Sequence, residues 1–196
     1  MGAHYLSSML LSLLVLSAAA VSIFAVDVEL INKICEHEQD FNFCSQTLIG
    51  DPGTAAADFD GLMLITISLT LEKIQDNANN IVFLRHITDS VVKERLVSCQ
   101  ENYVNAHFWL QRAYDSGVAK SYYDIFYLLR EGWFEASVCE NGFKFEPVRT
   151  SPLTASYDLL LKHVELTYAV IQHIIGPSSK LQEMDLFKPL PAELNR

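Results

Sequence analysis

A chain of 196 residues, half of them hydrophobic, can bury one substantial core but not two independent ones. Its 24 acidic against 14 basic side chains leave a formal net charge of −10, which excludes nucleic acid as the natural partner and favours basic surfaces. Among its six histidines no His-x3-His spacing occurs, and no Cys-x2-Cys or Glu-x-x-His occurs either, so no metal site and no cofactor is expected.

The first 26 residues contain no Asp, Glu, Lys or Arg, and their apolar run MLLSLLVLSAAAVSIFA ends before Asp27. The run predicts a secretory signal over residues 1–25, with Ala25 or Ala20 as the last residue before cleavage. No Lys or Arg stands near Met1, and a run this long could also anchor in a bilayer. Myristoylation is unsupported, because Leu6 stands where that pattern requires Ser or Thr. Secretion is the expectation, with the folded domain over residues 26–176. No Asn-x-Ser/Thr sequon occurs, so N-glycosylation is not expected.

From Asp27 to Ile49, apolar Val28, Ile31 and Ile34, the turn-like HEQDFNF, then Cys44 and Leu48 predict two short helices folded on each other. GDPGT, Gly50 to Thr54, is a turn, with Thr54 placed to cap the next helix. That helix shows Leu64, Ile67, Leu71, Ile74, Ala78 and Ile81 stepping by three and four, with Leu62, Ile65 and Leu69 on another side. After a polar break at Thr88 to Ser90, a second stripe runs Val92, Leu96, Cys99, Tyr103, Ala106, Leu110 and Ala113, and Gly117 reads as its terminator. Tyr122, Phe126, Leu129, Trp133 and Ala136 form a third stripe closed by Gly142. Ser151 as cap and Pro152 as first helical residue open a fourth, Leu153, Tyr157, Leu160, Val164, Thr167, Ile171 and Ile174, stopped by Gly176-Pro177. No run alternates at period two. The expected fold is all-α: an antiparallel four-helix bundle with an N-terminal short helical hairpin and two disulfides. The polar, proline-containing segment 177–196 is expected to be a disordered tail.

Cys99 lies inside an apolar stripe, where a thiol is filler, ligand, nucleophile or half of a disulfide. The missing spacings argue against a ligand. A nucleophile needs a base and an electropositive setting, and nothing assigns a histidine to Cys99; His107, two turns on, reads as a surface residue. In an oxidising compartment an even count of four cysteines suggests two bridges. Eight residues separate Cys35 from Cys44, which a helical hairpin can bring together, leaving Cys99 to pair with Cys139. Closing these loops stabilises the fold by roughly 2.7 and roughly 3.9 kcal/mol in the chain-entropy picture.

The order Cys-x8-Cys, then Cys-x-Glu-x-Tyr-x-x-Ala (Cys99, Glu101, Tyr103, Ala106), then Cys-Glu-Asn-Gly-Phe from Cys139 to Phe143, resembles the plant invertase and pectin methylesterase inhibitor family. The likeness covers about Val28 to Ile175, and DFNFC with GDPGTAAADFDGL is most similar to a secreted pollen branch labelled as invertase inhibitors. The resemblance implies a four-helix bundle with a projecting hairpin and the same two disulfides. It implies a secreted, apoplastic inhibitor that performs no chemistry and blocks the substrate cleft of a cell-wall carbohydrate-active enzyme, without stable membrane association after signal cleavage.

Invertase-blocking members carry Pro-Lys-Phe before the third long helix, where this chain has Ser121-Tyr122-Tyr123, and the family's Ser-Ala-Ala-Leu aligns with Arg130-Glu131-Gly132-Trp133. Pectin methylesterase is therefore favoured over invertase, and a structural bundle with no enzyme target is the third reading. An enzyme finds no support: no Gly-x-Ser-x-Gly and no phosphate loop occurs, and no catalytic residue is assigned. In the family the enzyme is engaged by a face of the first three long helices, and Glu101, Asn105, Phe108 and Gln111, lying off the stripes, are the candidate contacts.

Overall fold

A computed structural model of the chain describes residues 28–84, 86 and 89–176. The signal expected over 1–25 and the tail expected over 177–196 lie outside the described residues. Among the described residues there is no strand, and no helix is long and apolar enough to cross a membrane. Two compact units meet in sequence between Asp58 and Phe59.

The first unit contains α1 (Val28–Cys35), α2 (Phe41–Gly50) and a 3-10 turn (Pro52–Ala56). Asp40 caps α2, its carboxylate accepting from the Phe43 amide at 3.0 Å. The Cys35–Cys44 disulfide closes the hairpin, with Cα atoms 5.7 Å apart. Thr54 does not cap the following helix. Pro52 and the Asp51 carboxylate, which accepts from the Gly53 amide at 2.7 Å, wind the turn instead, and Thr54 is buried in it.

The second unit is the bundle: α3 (Phe59–Leu84), α4 (Ser90–Val118), α5 (Tyr122–Gly142) and α6 (Thr154–Ile175). Consecutive helices run antiparallel and pack side by side, and α6 returns to α3, closing a ring around one core. Asp89 caps α4 by accepting from the Val92 amide at 2.7 Å. Along α4 the predicted stripe from Val92 through Ala113 is buried throughout. Each fully buried side chain of Leu size contributes about 1.5–3 kcal/mol by leaving water.

The Cys99–Cys139 disulfide joins α4 to α5 with Cα atoms 4.7 Å apart. Further along the same seam, Gly132 lets the helices approach: a Cβ there would stand 2.9 Å from Leu110 Cγ and 3.3 Å from the Ala106 carbonyl oxygen. Gly132 therefore takes the buried position that the stripe gave to Trp133, which is half-buried. Gly117 is a packing position, not the terminator expected. A Cβ on it would meet Leu64 Cδ2 at 2.9 Å, and α4 continues to Val118. The chain reverses at Lys120, at φ 57°, where the Ser121 amide donates to the Ser116 carbonyl and the Lys120 amide to that of Gly117.

The α3–α6 seam has a different character. The buried face of α3 includes Thr66, Thr70 and Asn77, while Leu64, Leu71 and Ala78 of the predicted stripe are half-buried. Thr70 donates to the Thr66 carbonyl at 2.8 Å, and its hydroxyl lies 3.2 Å from that of Thr167, which bonds the His163 carbonyl at 2.9 Å. Satisfied by the preceding turn, these hydroxyls enter the core at low cost. Asn77 donates to the Tyr103 hydroxyl at 3.1 Å and to the Ser156 carbonyl at 3.3 Å. His163 is buried, and desolvation, with Lys73 adding to it, lowers its pKa to about 4.

Between α5 and α6, Arg95 donates to the carbonyls of Phe143, Phe145 and Pro147 at 3.0, 2.8 and 2.9 Å. Ser151 and Thr154 both donate to the Glu140 carboxylate, at 2.7 and 2.5 Å. Ser151 is drawn to Glu140 and accepts from the Leu153 amide, so α6 begins at Thr154 and not at Pro152.

Candidate functional site

While one stripe of α4 fills the core, residues at the same spacing half a turn away, Val97, Glu101, Val104, Phe108, Gln111 and Asp115, are all exposed. Three are large and apolar: Val97 is 41%, Val104 62% and Phe108 53% exposed. Scattered exposed apolar residues need no explanation, but three on one line of one helix form a surface. Of the four candidate contacts, Glu101, Phe108 and Gln111 fall on this line. Asn105 stands beside it, exposed, where with Val97, Gln100, Glu101 and Val104 it lines a shallow depression. Gln111 leans along the helix to donate to Asp115 at 3.4 Å.

Toward the C-terminal half of α4 the surface becomes aromatic. The Phe108 ring meets Trp109 edge-on, with centroids 5.3 Å apart. The Arg112 guanidinium sits 5.7 Å from the Phe108 centroid and 5.8 Å from that of Trp109. Trp109, Arg112 and Ser116 from α4 face Asp124, Tyr127 and Leu128 from α5 across a cleft of about 380 Å³. Tyr123 and Tyr127, one turn apart on α5, are 48% and 49% exposed beside it. The Cys99–Cys139 bridge and the contact at Gly132 lie beneath the same two helices and fix the backbone that carries them.

The sequence reading missed Trp109, Arg112 and Tyr127. Their signal was present as the parallel line Asn105, Trp109, Arg112, Ser116, again at four, three and four. Only the pairing of α4 with α5 shows that this line faces a second helix. At Ser121-Tyr122-Tyr123 the Tyr122 hydroxyl donates to Asp60 at 2.9 Å, and Lys120 pairs with the same carboxylate at 2.5 Å. The Lys120 hydrogen bond foremost, with that of Tyr122, holds the Asp60 pKa below the usual carboxylate value against desolvation. This turn thus fastens α3 to the α4–α5 connection. Among the described residues no cysteine is free and no cluster of three His, Cys, Asp or Glu could hold a metal.

Residues 29–176 match the family model described as plant invertase/pectin methylesterase inhibitor. Pectinesterase inhibitor 5 of Arabidopsis thaliana is 31% identical over 133 residues, 66% of this chain and 74% of that protein. A Platanus orientalis protein named "Putative invertase inhibitor" is 26% identical over 148 residues, 71% of this chain and 86% of its own length. The crystal structure of a mutant form of an Arabidopsis pectin methylesterase inhibitor superposes with a TM-score of 0.62 at 15% identity, covering 72% of this chain and 95% of that one. At that identity the likeness concerns the fold.

Proposed function

The chain belongs to the plant invertase/pectin methylesterase inhibitor family, and from that premise we propose that it is secreted to the cell wall, where its bundle docks on a pectin methylesterase and closes the substrate cleft. The family consists of enzyme inhibitors, so the activity to be explained is recognition, not catalysis. The observation that carries this reading is the outer face of α4, where apolar and polar side chains alternate on a helix clamped from beneath by the Cys99–Cys139 disulfide. A surface held in place before contact loses little conformational entropy when it docks. Glu101, Asn105, Phe108 and Gln111 are the proposed contacts. Phe108 is the anchor, because an aromatic ring half in water gains most from being covered. Burying the exposed half of that side chain contributes about 0.8–1.5 kcal/mol, half of what full burial of a Phe contributes.

Pectin methylesterase is preferred to invertase on two grounds. A relative at 31% identity carries the pectinesterase inhibitor name. At the turn where invertase-blocking members present Pro-Lys-Phe, this chain has Tyr122 bonded to Asp60. Titrating the oxidised protein against purified pectin methylesterase and invertase activities tests the choice. Inhibition of the esterase alone supports the reading, and inhibition of invertase alone reverses it.

A further inference from the structure

The α4–α5 cleft allows one step further, resting on the reading above. Arg112 is the one described arginine without a carboxylate or carbonyl partner: Arg95 holds three carbonyls, Arg149 pairs with Asp89 at 3.1 Å, and Arg130 lies 3.9 Å from Glu131. Two acids are near in sequence or space. Asp115, one turn on, accepts from Gln111, and Asp124 lines the same cleft without coming within ion-pair distance. Contact with the rings of Phe108 and Trp109 steadies the guanidinium at the cleft mouth. A flat, steadied guanidinium is suited to receive a carboxylate on two parallel N–H groups.

We propose that the cleft between Trp109, Arg112 and Tyr127 receives one acidic side chain of the target enzyme, and that this contact sets the register in which the outer face of α4 docks. Arg112 touches Phe108, so a protein seated on the stripe reaches the cleft without leaving the surface. Trp, Tyr and Arg are also the residue types that concentrate binding energy at protein interfaces. The competing source of a carboxylate is an acidic polysaccharide. Such a polymer would lay a row of negative charges along a chain of net charge −10, where Arg112 is the one guanidinium among the described residues left to offset them. A target enzyme of net positive charge is attracted by the net charge of −10, and one acid on its surface meets Arg112.

The test uses the full mature protein and the pectin methylesterase that it inhibits. Arg112→Gln removes the charge and Arg112→Glu reverses it. Arg112 is exposed, so the melting temperatures of both variants should match the parent. The expected result is a dissociation constant raised at least tenfold by Arg112→Gln and further by Arg112→Glu. Exchanging the facing enzyme acid for Lys should restore binding of the Arg112→Glu form. Binding by both variants within twofold of the parent overturns the proposal while leaving inhibition itself intact. A parent protein that inhibits no pectin methylesterase overturns the underlying reading, and this proposal with it. In a second arm, oligogalacturonate is titrated into the isolated protein while tryptophan fluorescence is followed. Saturable binding abolished by Arg112→Gln would assign the cleft to the polymer and overturn the enzyme contact.

Discussion

The bundle has two seams built on different principles. Between α4 and α5 the backbones approach over Gly132 and are joined by the Cys99–Cys139 bridge. Between α3 and α6 the core admits Thr66, Thr70, Thr167 and His163, all buried, with the threonines bonded to neighbouring carbonyls. Covalent closure and close packing join the two helices that carry the exposed aromatic face, and the polar, protonatable layer lies on the other side of the ring. The bridge and the close approach are thus placed on the side of the bundle that carries the proposed docking face.

Removing the staple should have the largest effect. Cys99→Ala with Cys139→Ala opens a loop whose closure contributes about 4 kcal/mol in the chain-entropy picture. Urea denaturation should show a loss of that order; a loss below about 1 kcal/mol would mean that packing at Gly132 alone holds the seam.

The polar seam should instead respond to pH. His163 has a pKa of about 4 in the folded state against 6.5 for the free side chain, so between those values the unfolded chain binds more protons. Its contribution is unfavourable to folding at low pH: stability falls as pH drops from 6.5 toward 4, by about 3 kcal/mol in all, and levels off below. Asp60 and Asp89, whose pKa values are lowered, lose stability in the same direction at more acidic pH. A His163→Gln variant should flatten the slope between pH 6.5 and 4 and leave the acid limb below. An unchanged slope would place its origin outside this seam.

A smaller effect is expected from Thr70→Val, which keeps the shape and removes one buried hydroxyl. Thr167 retains its bond to the His163 carbonyl, so the loss should be about 1 kcal/mol, measurable as a shifted denaturation midpoint. A loss above about 3 kcal/mol would show that the threonine pair acts as a unit.

How far the sequence discloses these seams follows from the same chemistry. The α4 stripe was legible because an apolar residue falls at nearly every core position from Val92 to Ala113. The α3 face was read one step off centre, on Leu64 and Leu71, because a threonine that bonds its own helix behaves as a core residue while counting as polar. Gly117 and Gly132 were opaque for a related reason. A glycine that ends a helix and one that lets a neighbour close in look the same until the neighbour is placed. Ser151 carried a capping signature, and Glu140, eleven positions earlier, took its hydroxyl. In the candidate site, Phe108 stood out by lying opposite a strong stripe, whereas Arg112 and Trp109 gained meaning only from α5.

At Phe108 a small expected change in stability goes with a large expected change in binding. Phe108→Ala should alter folding stability by no more than about 0.5 kcal/mol, since the ring is half in water. Binding kinetics of this variant on pectin methylesterase, measured across a salt series, test the docking face most directly. On a pectin methylesterase of net positive charge the parent association rate should fall as salt rises, because the net charge of −10 steers the encounter over a reach of about 8 Å at physiological ionic strength and about 3 Å at 1 M. The account predicts that Phe108→Ala dissociates about tenfold faster at every salt concentration, with association unchanged. A dissociation rate equal to that of the parent would contradict the assignment of the α4 outer face as the surface that meets the enzyme.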